Sequence, residues 1–196
     1  MDFFIPQKLI NKPINILLIG AGGSGSQIAT ELFQMDSLLR QISDQSVYIN
    51  LTLVDGDTVS IFNVGRQAFY SGDVNSFKAE VLVNRFNNFG GTHWKAMNEY
   101  CDPDKMTFNG YDLIITAVDK AEFRIKLGEV FNNTQHASDL LWLDVGNGKS
   151  DGQIILGHAY RNISSTGIRL PNVYDLYSEM LKQIDDASED IPSCST

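Results

Sequence analysis

Ile14-Asn15-Ile16-Leu17-Leu18-Ile19-Gly20-Ala21-Gly22-Gly23-Ser24-Gly25-Ser26 is the stretch from which the architecture can be read. An apolar run that meets glycines and continues into an amphipathic segment reads as strand, tight turn, helix. Gly20, Gly22 and Gly25 carry the G-x-G-x-x-G spacing of a nucleotide-binding βαβ unit, with Gly23 in the same loop. Gly20 permits the turn, Gly22 lets backbone approach a phosphate without a Cβ in the way, and Gly25 lets helix pack closely on strand. The N–H groups and positive dipole end of the following helix then form an anion site. A tight turn with no ligand is the competing reading of the glycines alone. The strand before them and the helix after them favour the anion site.

Outward from this loop, Ile28, Leu32, Met35 and Leu39 recur at helical spacing and predict a helix over 25–42. Residues 47–54 are β-branched and partly alternating, a second strand ending in Asp55-Gly56-Asp57. An acid at this tip suits ribose hydroxyls, with turn chemistry around Gly56 as the alternative. Its distance from Gly25 exceeds the usual dehydrogenase spacing, which disfavours a plain NAD site. In the loop 58–75, Asn63, Arg66 and Gln67 sit among Ile61, Phe62, Phe69 and Tyr70. The loop is too aromatic for disorder, so it reads as functional, with Arg66 expected to be buried. Lys78 opens a helix with the stripe Ala79, Leu82, Val83 and Phe86. An ammonium there is misplaced without an anionic partner, which favours a phosphate, or else solvation near Asp73 or Glu80.

Residues 92–97 form a short strand, and 111–118 a near-continuous apolar run typical of a central parallel strand. Asp119 follows at its carboxyl end, before a helix marked by Phe123, Leu127, Val130 and Phe131. Asp119 suits Mg²⁺ as a hard oxygen ligand or, alternatively, caps that helix. Residues 140–144 and 153–158 give two more strands. Val173, Leu176, Tyr177, Met180, Leu181 and Ile184 mark a final helix before an acidic tail over 185–190. The fold expected is α/β, a Rossmann-like doubly wound, mostly parallel sheet with helices on both faces. One domain fills 1–196, with its core over 14–160 and the helix and tail over 161–196. Asp55 and Asp119 then share one sheet edge with the glycine loop.

Composition narrows the classes. The 196 residues are 43% hydrophobic and 20% charged, which is globular rather than disordered. A net charge of −9 argues against a nucleic-acid polymer as partner. No apolar run reaches the length of a membrane span and no signal pattern opens the chain, so a cytoplasmic location is expected. Two cysteines, Cys101 and Cys194, are too few for a disulfide framework or a four-cysteine zinc site. His93, His136 and His158 lack ligand spacing.

Gly20–Ser26, then Leu51–Ser60 with its Asp-x-Asp, Asn63-Val64-Gly65-Arg66-Gln67, Ser76-Phe77-Lys78-Ala79-Glu80 and Tyr111–Asp119 stand in one order. Together they resemble the ThiF/MoeB/ubiquitin-activating family of adenylating enzymes over about residues 14–160. The segments Leu170–Val173 and Pro192–Ser195 look most like the ThiF-type proteins of bacterial PRTRC systems. The resemblance implies adenylation, with ATP and Mg²⁺, of the C-terminal glycine carboxylate of a small ubiquitin-like or sulfur-carrier protein by a homodimer. It implies that Gly22–Gly25 cover the nucleotide, Asp55 holds the ribose, Asp57 and Asn63 shape the site, Arg66 and Lys78 contact phosphates, and Asp119 binds Mg²⁺.

The chain departs from the family pattern in four places. It has no arginine in residues 1–13, Lys120 where Asn is common, no Cys-x-x-Cys pairs, and an end at Pro192-Ser193-Cys194 where relatives continue, which suggests a truncated or short member. Cys194 falls roughly where some relatives carry a crossover-loop cysteine. Glu189 and Asp190 beside it disfavour a reactive thiolate, and Cys101 reads as structural. Two other classes compete: an inactive ThiF-fold scaffold or dimer half, and an NAD-dependent oxidoreductase. The scaffold has no need of Arg66, Lys78 and Asp119 together, and the oxidoreductase leaves all three without a role.

Overall fold

The computed structural model describes residues 11–147, 152–165 and 167–187. Residues 1–10, the tail beyond 187 and Cys194 lie outside that set. Strands β1 (Ile14–Ile19), β2 (Ile49–Val54), β3 (Lys95–Met97), β4 (Leu113–Thr116), β5 (Leu141–Asn147) and β6 (Gly152–His158) alternate with helices α1 (Gly23–Ile42), α2 (Lys78–Gly90) and α3 (Ala121–Asn133) before α4 (Val173–Ala187). The strands form one sheet in the order β3-β2-β1-β4-β5-β6. All neighbours pair in parallel except β5 and β6, which form an antiparallel pair at the edge.

β1 shows why the sheet is covered twice. Successive strand side chains point to opposite faces, so the apolar run Ile16–Ile19 needs apolar cover on both. Ile16 and Leu18 join Ala29 and Leu32 of α1 and Ala79, Leu82, Val83 and Phe86 of α2. Leu17 and Ile19 join Ala121, Leu127 and Phe131 of α3 and Val173 and Leu181 of α4. Burying one such Leu or Ile side chain stabilises the fold by about 1.5–3 kcal/mol. The doubly wound fold read from the sequence is the one observed.

Several boundaries shift for local reasons. α1 begins at Gly23 rather than residue 25, since Gly22 already serves as its N-cap. The strand expected over 92–97 shortens to Lys95–Met97. The Asn87 side chain explains this: it accepts from Thr92 Oγ1 at 2.7 Å and Trp94 N at 2.9 Å, so the segment first serves the end of α2. β5 outruns its expected end at Asp144, reaching Asn147, because β6 pairs back along its full length. α4 is bent at Tyr177 (φ −133°) and runs to Ala187, into the stretch expected to be tail.

Candidate functional site

β1 is the point where the strand order reverses, and a cavity of about 590 Å³ opens there, off the carboxyl ends of the strands. Gly20, Gly22, Gly23, Asp55, Asp57, Lys78, Asp119 and Lys120 all line it. Gly20 is in the left-handed region (φ 99°), and a Cβ there would collide with the Ala117 carbonyl at the end of β4. A Cβ on Gly25 would collide with the Gly20 carbonyl, so helix and turn touch backbone to backbone. Gly25 therefore supports the loop from behind and does not line the cavity. The N-cap Gly22 supplies no side-chain cap and the first turn of α1 holds no acid. The first N–H groups of that helix, without intrahelical partners, face a cavity wall.

Asp55 is oriented by two backbone donors: Ala21 N–H to Oδ2 at 2.6 Å and Asp57 N–H to Oδ1 at 2.8 Å. Burial pushes its carboxyl above the usual range, against the opposing pull of those two donors. The bond from Ala21 ties the β2 tip to the glycine turn, which a turn around Gly56 alone would not require.

Asp57 and Lys78 meet because the intervening loop is pinched at its base. Thr58 and Phe77 form an antiparallel bridge, and Lys78 N–H donates to the Asp57 carbonyl at 2.9 Å. The Lys78 ammonium then donates to Asp57 Oδ2 at 2.9 Å, with its side chain only 1% exposed. The alternative of a solvated lysine near Asp73 or Glu80 is not what is found: Lys78 is buried on Asp57, and Asp73 pairs with Arg85 at 2.7 Å. Lys78 also begins α2 yet is buried, contrary to a surface position. Tyr100 Oη donates to Asp57 Oδ1 at 2.5 Å, and its ring lies against Gly56, where a Cβ would sit 2.9 Å away. Burial alone would raise the Asp57 carboxyl, but the bonds from Tyr100 and Lys78 outweigh it and hold that carboxyl below the usual range. Tyr100, absent from the sequence reading, is a lone exposed aromatic in the string and carries no spacing signal.

Asp119 is exposed on the cavity wall and, among the described residues, makes no ion pair or side-chain hydrogen bond. The N-cap of α3 is Lys120, without a side-chain cap bond, so Asp119 is not spent on capping. Among the described residues no three His, Cys, Asp or Glu side chains could hold a metal together. A single uncommitted carboxylate still fits Mg²⁺, which is commonly held by one or two carboxylates plus substrate phosphates.

The remaining expected members lie elsewhere. Asn63 is buried, but its Oδ1 accepts from Ser60 N and Oγ at 2.8 and 3.0 Å, and it does not line the cavity. Its Nδ2 is buried without a hydrogen-bond partner among the described residues. Arg66 is exposed rather than buried and is not on the cavity wall. The short helical turn Ile61–Asn63 carries Asn63 inward while Ile61 and Phe62 face solvent, so apolar neighbours in the string did not mean buried neighbours in space. Cys101 lines the cavity with a thiol pushed up to about 12 by burial and by the charges of Asp102 and Glu99. It is an inert, structural thiol.

Behind the cavity lies a buried network that the sequence reading did not find. Asp144 is fully buried in the middle of β5, opposite the last residue of β4, accepting from Thr116 Oγ1 at 2.5 Å and from Arg124 Nε at 2.8 and 2.9 Å. Arg124 Nη2 donates to the carbonyls of Val118 at 2.7 Å and Val145 at 3.2 Å. This clamps the backbone that presents Asp119. The only sequence signal is an arginine in the first turns of the helix after Asp119.

A doubly wound sheet with a glycine turn and acidic strand tips at its switch point defines a Rossmann-like domain. The chain belongs to the ThiF family, whose model matches residues 6–196. Among solved structures, E. coli tRNA N6-threonylcarbamoyladenosine dehydratase, TcdA, aligns with TM-score 0.54 at 22% identity, over 90% of this chain and 66% of that one. PaaA aligns with TM-score 0.52 at 16% identity, over 92% and 58%. TcdA in complex with ATP aligns with TM-score 0.49 at 24% identity, over 59% and 46%. The chain thus spans between 46% and 66% of the length of these structures. No curated protein matches it by sequence.

Proposed function

We propose that the chain is an adenylating enzyme that activates the C-terminal carboxylate of a small ubiquitin-like or sulfur-carrier protein with ATP, as a cytoplasmic homodimer. The observation that carries this reading is the convergence of a helix N-terminus, the buried Lys78 and the uncommitted Asp119 on one cavity at the switch point. Membership of the ThiF family supports it. Among the described residues no helix is long and apolar enough to cross a membrane, which is compatible with the location.

Each residue has a role in this reading. Gly22, Gly23 and the first N–H groups of α1 receive phosphate oxygens, with Gly25 supporting the turn from behind. Asp55, oriented by its two backbone donors, accepts from ribose hydroxyls. Lys78, held by Asp57, neutralises phosphate charge; a phosphate contact from Arg66, which does not line the cavity, requires the exposed loop braced by Asn63 to move toward it. The substrate carboxylate attacks the α-phosphorus, the bond from that phosphorus to the bridging oxygen breaks, and pyrophosphate leaves with the electron pair. Asp119 would hold Mg²⁺, which supplies neutralisation of charge on the departing phosphates. The chain contributes positioning and fixed charge rather than covalent chemistry.

Pyrophosphate exchange into ATP, dependent on a small protein ending in glycine, is the expected activity. Asp119→Asn should lower it by about 10²–10³-fold, the scale of one lost transition-state charge contact. Its thermal midpoint should stay unchanged, because Asp119 is exposed and uncommitted. Near-normal exchange in that variant, or calorimetric binding of NAD tighter than of ATP–Mg²⁺, would overturn the reading.

A further inference from the structure

The charges lining the cavity do not balance for a polyanion. Asp55, Asp57 and Asp119 face Lys78 and Lys120, one more carboxylate than ammonium. Two of the carboxylates and one ammonium are already engaged. Asp55 accepts from the backbone of Ala21 and Asp57, while Asp57 holds Lys78 at 2.9 Å. Lys120 differs. It is exposed, and its ammonium has no ion-pair or hydrogen-bond partner among the described residues. It also sits at the N-cap of α3, where the helix dipole disfavours a cation that no anion meets. Its backbone is nonetheless fixed, since Arg124 Nη2 clamps the Val118 carbonyl and Nη1 lies 3.4 Å from the Lys120 carbonyl. A cation held in place at an electrostatically poor position, doing no structural work, is arranged for a ligand.

We propose that Lys120 is a phosphate-contact residue, and that it meets the terminal phosphates of the nucleotide rather than the α-phosphate. This rests on the adenylation reading and adds a residue to it. Two features of the site place the contact on the polyphosphate tail. Lys78 lines the cavity buried and bonded to Asp57, whereas Lys120 lines it exposed and unengaged. Lys120 is also next in sequence to Asp119, the carboxylate assigned to the metal, and Mg²⁺ rides on the terminal phosphates of ATP. Ammonium to phosphate is a charge-assisted contact, among the stronger hydrogen bonds available.

Calorimetric titration of the full chain and of Lys120→Ala and Lys120→Arg with ATP–Mg²⁺ and separately with AMP tests this. Lys120→Ala should weaken ATP on the order of tenfold and leave AMP nearly unchanged, with Lys120→Arg restoring most of the loss. ATP binding by the alanine variant as tight as by the native chain overturns the proposal. An equal loss for ATP and AMP overturns the placement on the terminal phosphates. Failure of the native chain itself to bind ATP would instead remove the adenylation reading, and this inference with it.

Discussion

Asp144–Arg124 and Asp57–Lys78 are both carboxylate–cation pairs close to one cavity, built to opposite ends. In the first, both partners are at most 6% exposed; the carboxylate and backbone carbonyls engage the guanidinium, and the Thr116 hydroxyl donates to the carboxylate. Both groups are closed off from the cavity by burial. In the second, the cation is buried while the Asp57 side chain is 32% exposed, and both line the cavity wall. The sealed pair fixes backbone; the open pair holds a charge ready. Burying an ion pair is costly unless every remaining donor and acceptor is satisfied. The fold meets that condition where rigidity is needed and relaxes it where a ligand must enter.

The contrast can be broken most directly at Asp144. Asp144→Ala leaves Arg124 buried without its carboxylate and should lower unfolding stability by about 3–5 kcal/mol in urea denaturation. A loss under about 1 kcal/mol would mean that the pair is not the anchor described. Lys78→Met is the intermediate case. Asp57 keeps Tyr100 and partial solvent access, so the expected cost is about 1–3 kcal/mol, with loss of nucleotide binding measured by calorimetry. Unchanged nucleotide affinity would take Lys78 out of the site.

Tyr100→Phe should give the smallest effect and sharpens the comparison through pH. Asp57 is held below the usual carboxylate range, so the stability it contributes is present above that range and lost as pH falls through the depressed value. Removing the phenol donor raises the carboxyl, and the acid-unfolding midpoint should move to higher pH. A midpoint that stays put, followed by circular dichroism, would show that Tyr100 does not control this carboxylate.

What the sequence revealed and what it hid follow from the range of the contacts. The glycine turn, the β4 run and the acids at two strand tips are written in neighbouring residues, and the structure brings Gly20, Asp55 and Asp119 to one cavity. Lys78 was conspicuous as a cation at a helix start, but its partner Asp57 lies 21 residues back across a loop, beyond any local pattern. Arg66 was misjudged because apolar neighbours in the string imply burial only where the chain keeps them on one side, and this segment turns too tightly for that. Arg124 and Asp144, separated by 20 residues and a whole helix, left no local mark. The antiparallel direction of β6 was equally silent, since alternation reports faces and not chain sense.

The clasp between Thr58 and Phe77 has one more consequence. The excursion it closes is anchored inward by buried Val59 and Phe69, and its tip displays Ile61, Phe62 and Tyr70 outward. Because loop-closure entropy rises by only about 0.6 kcal/mol per doubling of length, that tip can be rewritten, extended or trimmed at small thermodynamic expense. Asp57 and Lys78 are pinned below the knot and do not feel the edit. Changes of length at the tip are thus uncoupled from the Asp57–Lys78 pair, whereas Arg66, carried on the same excursion, would move with them.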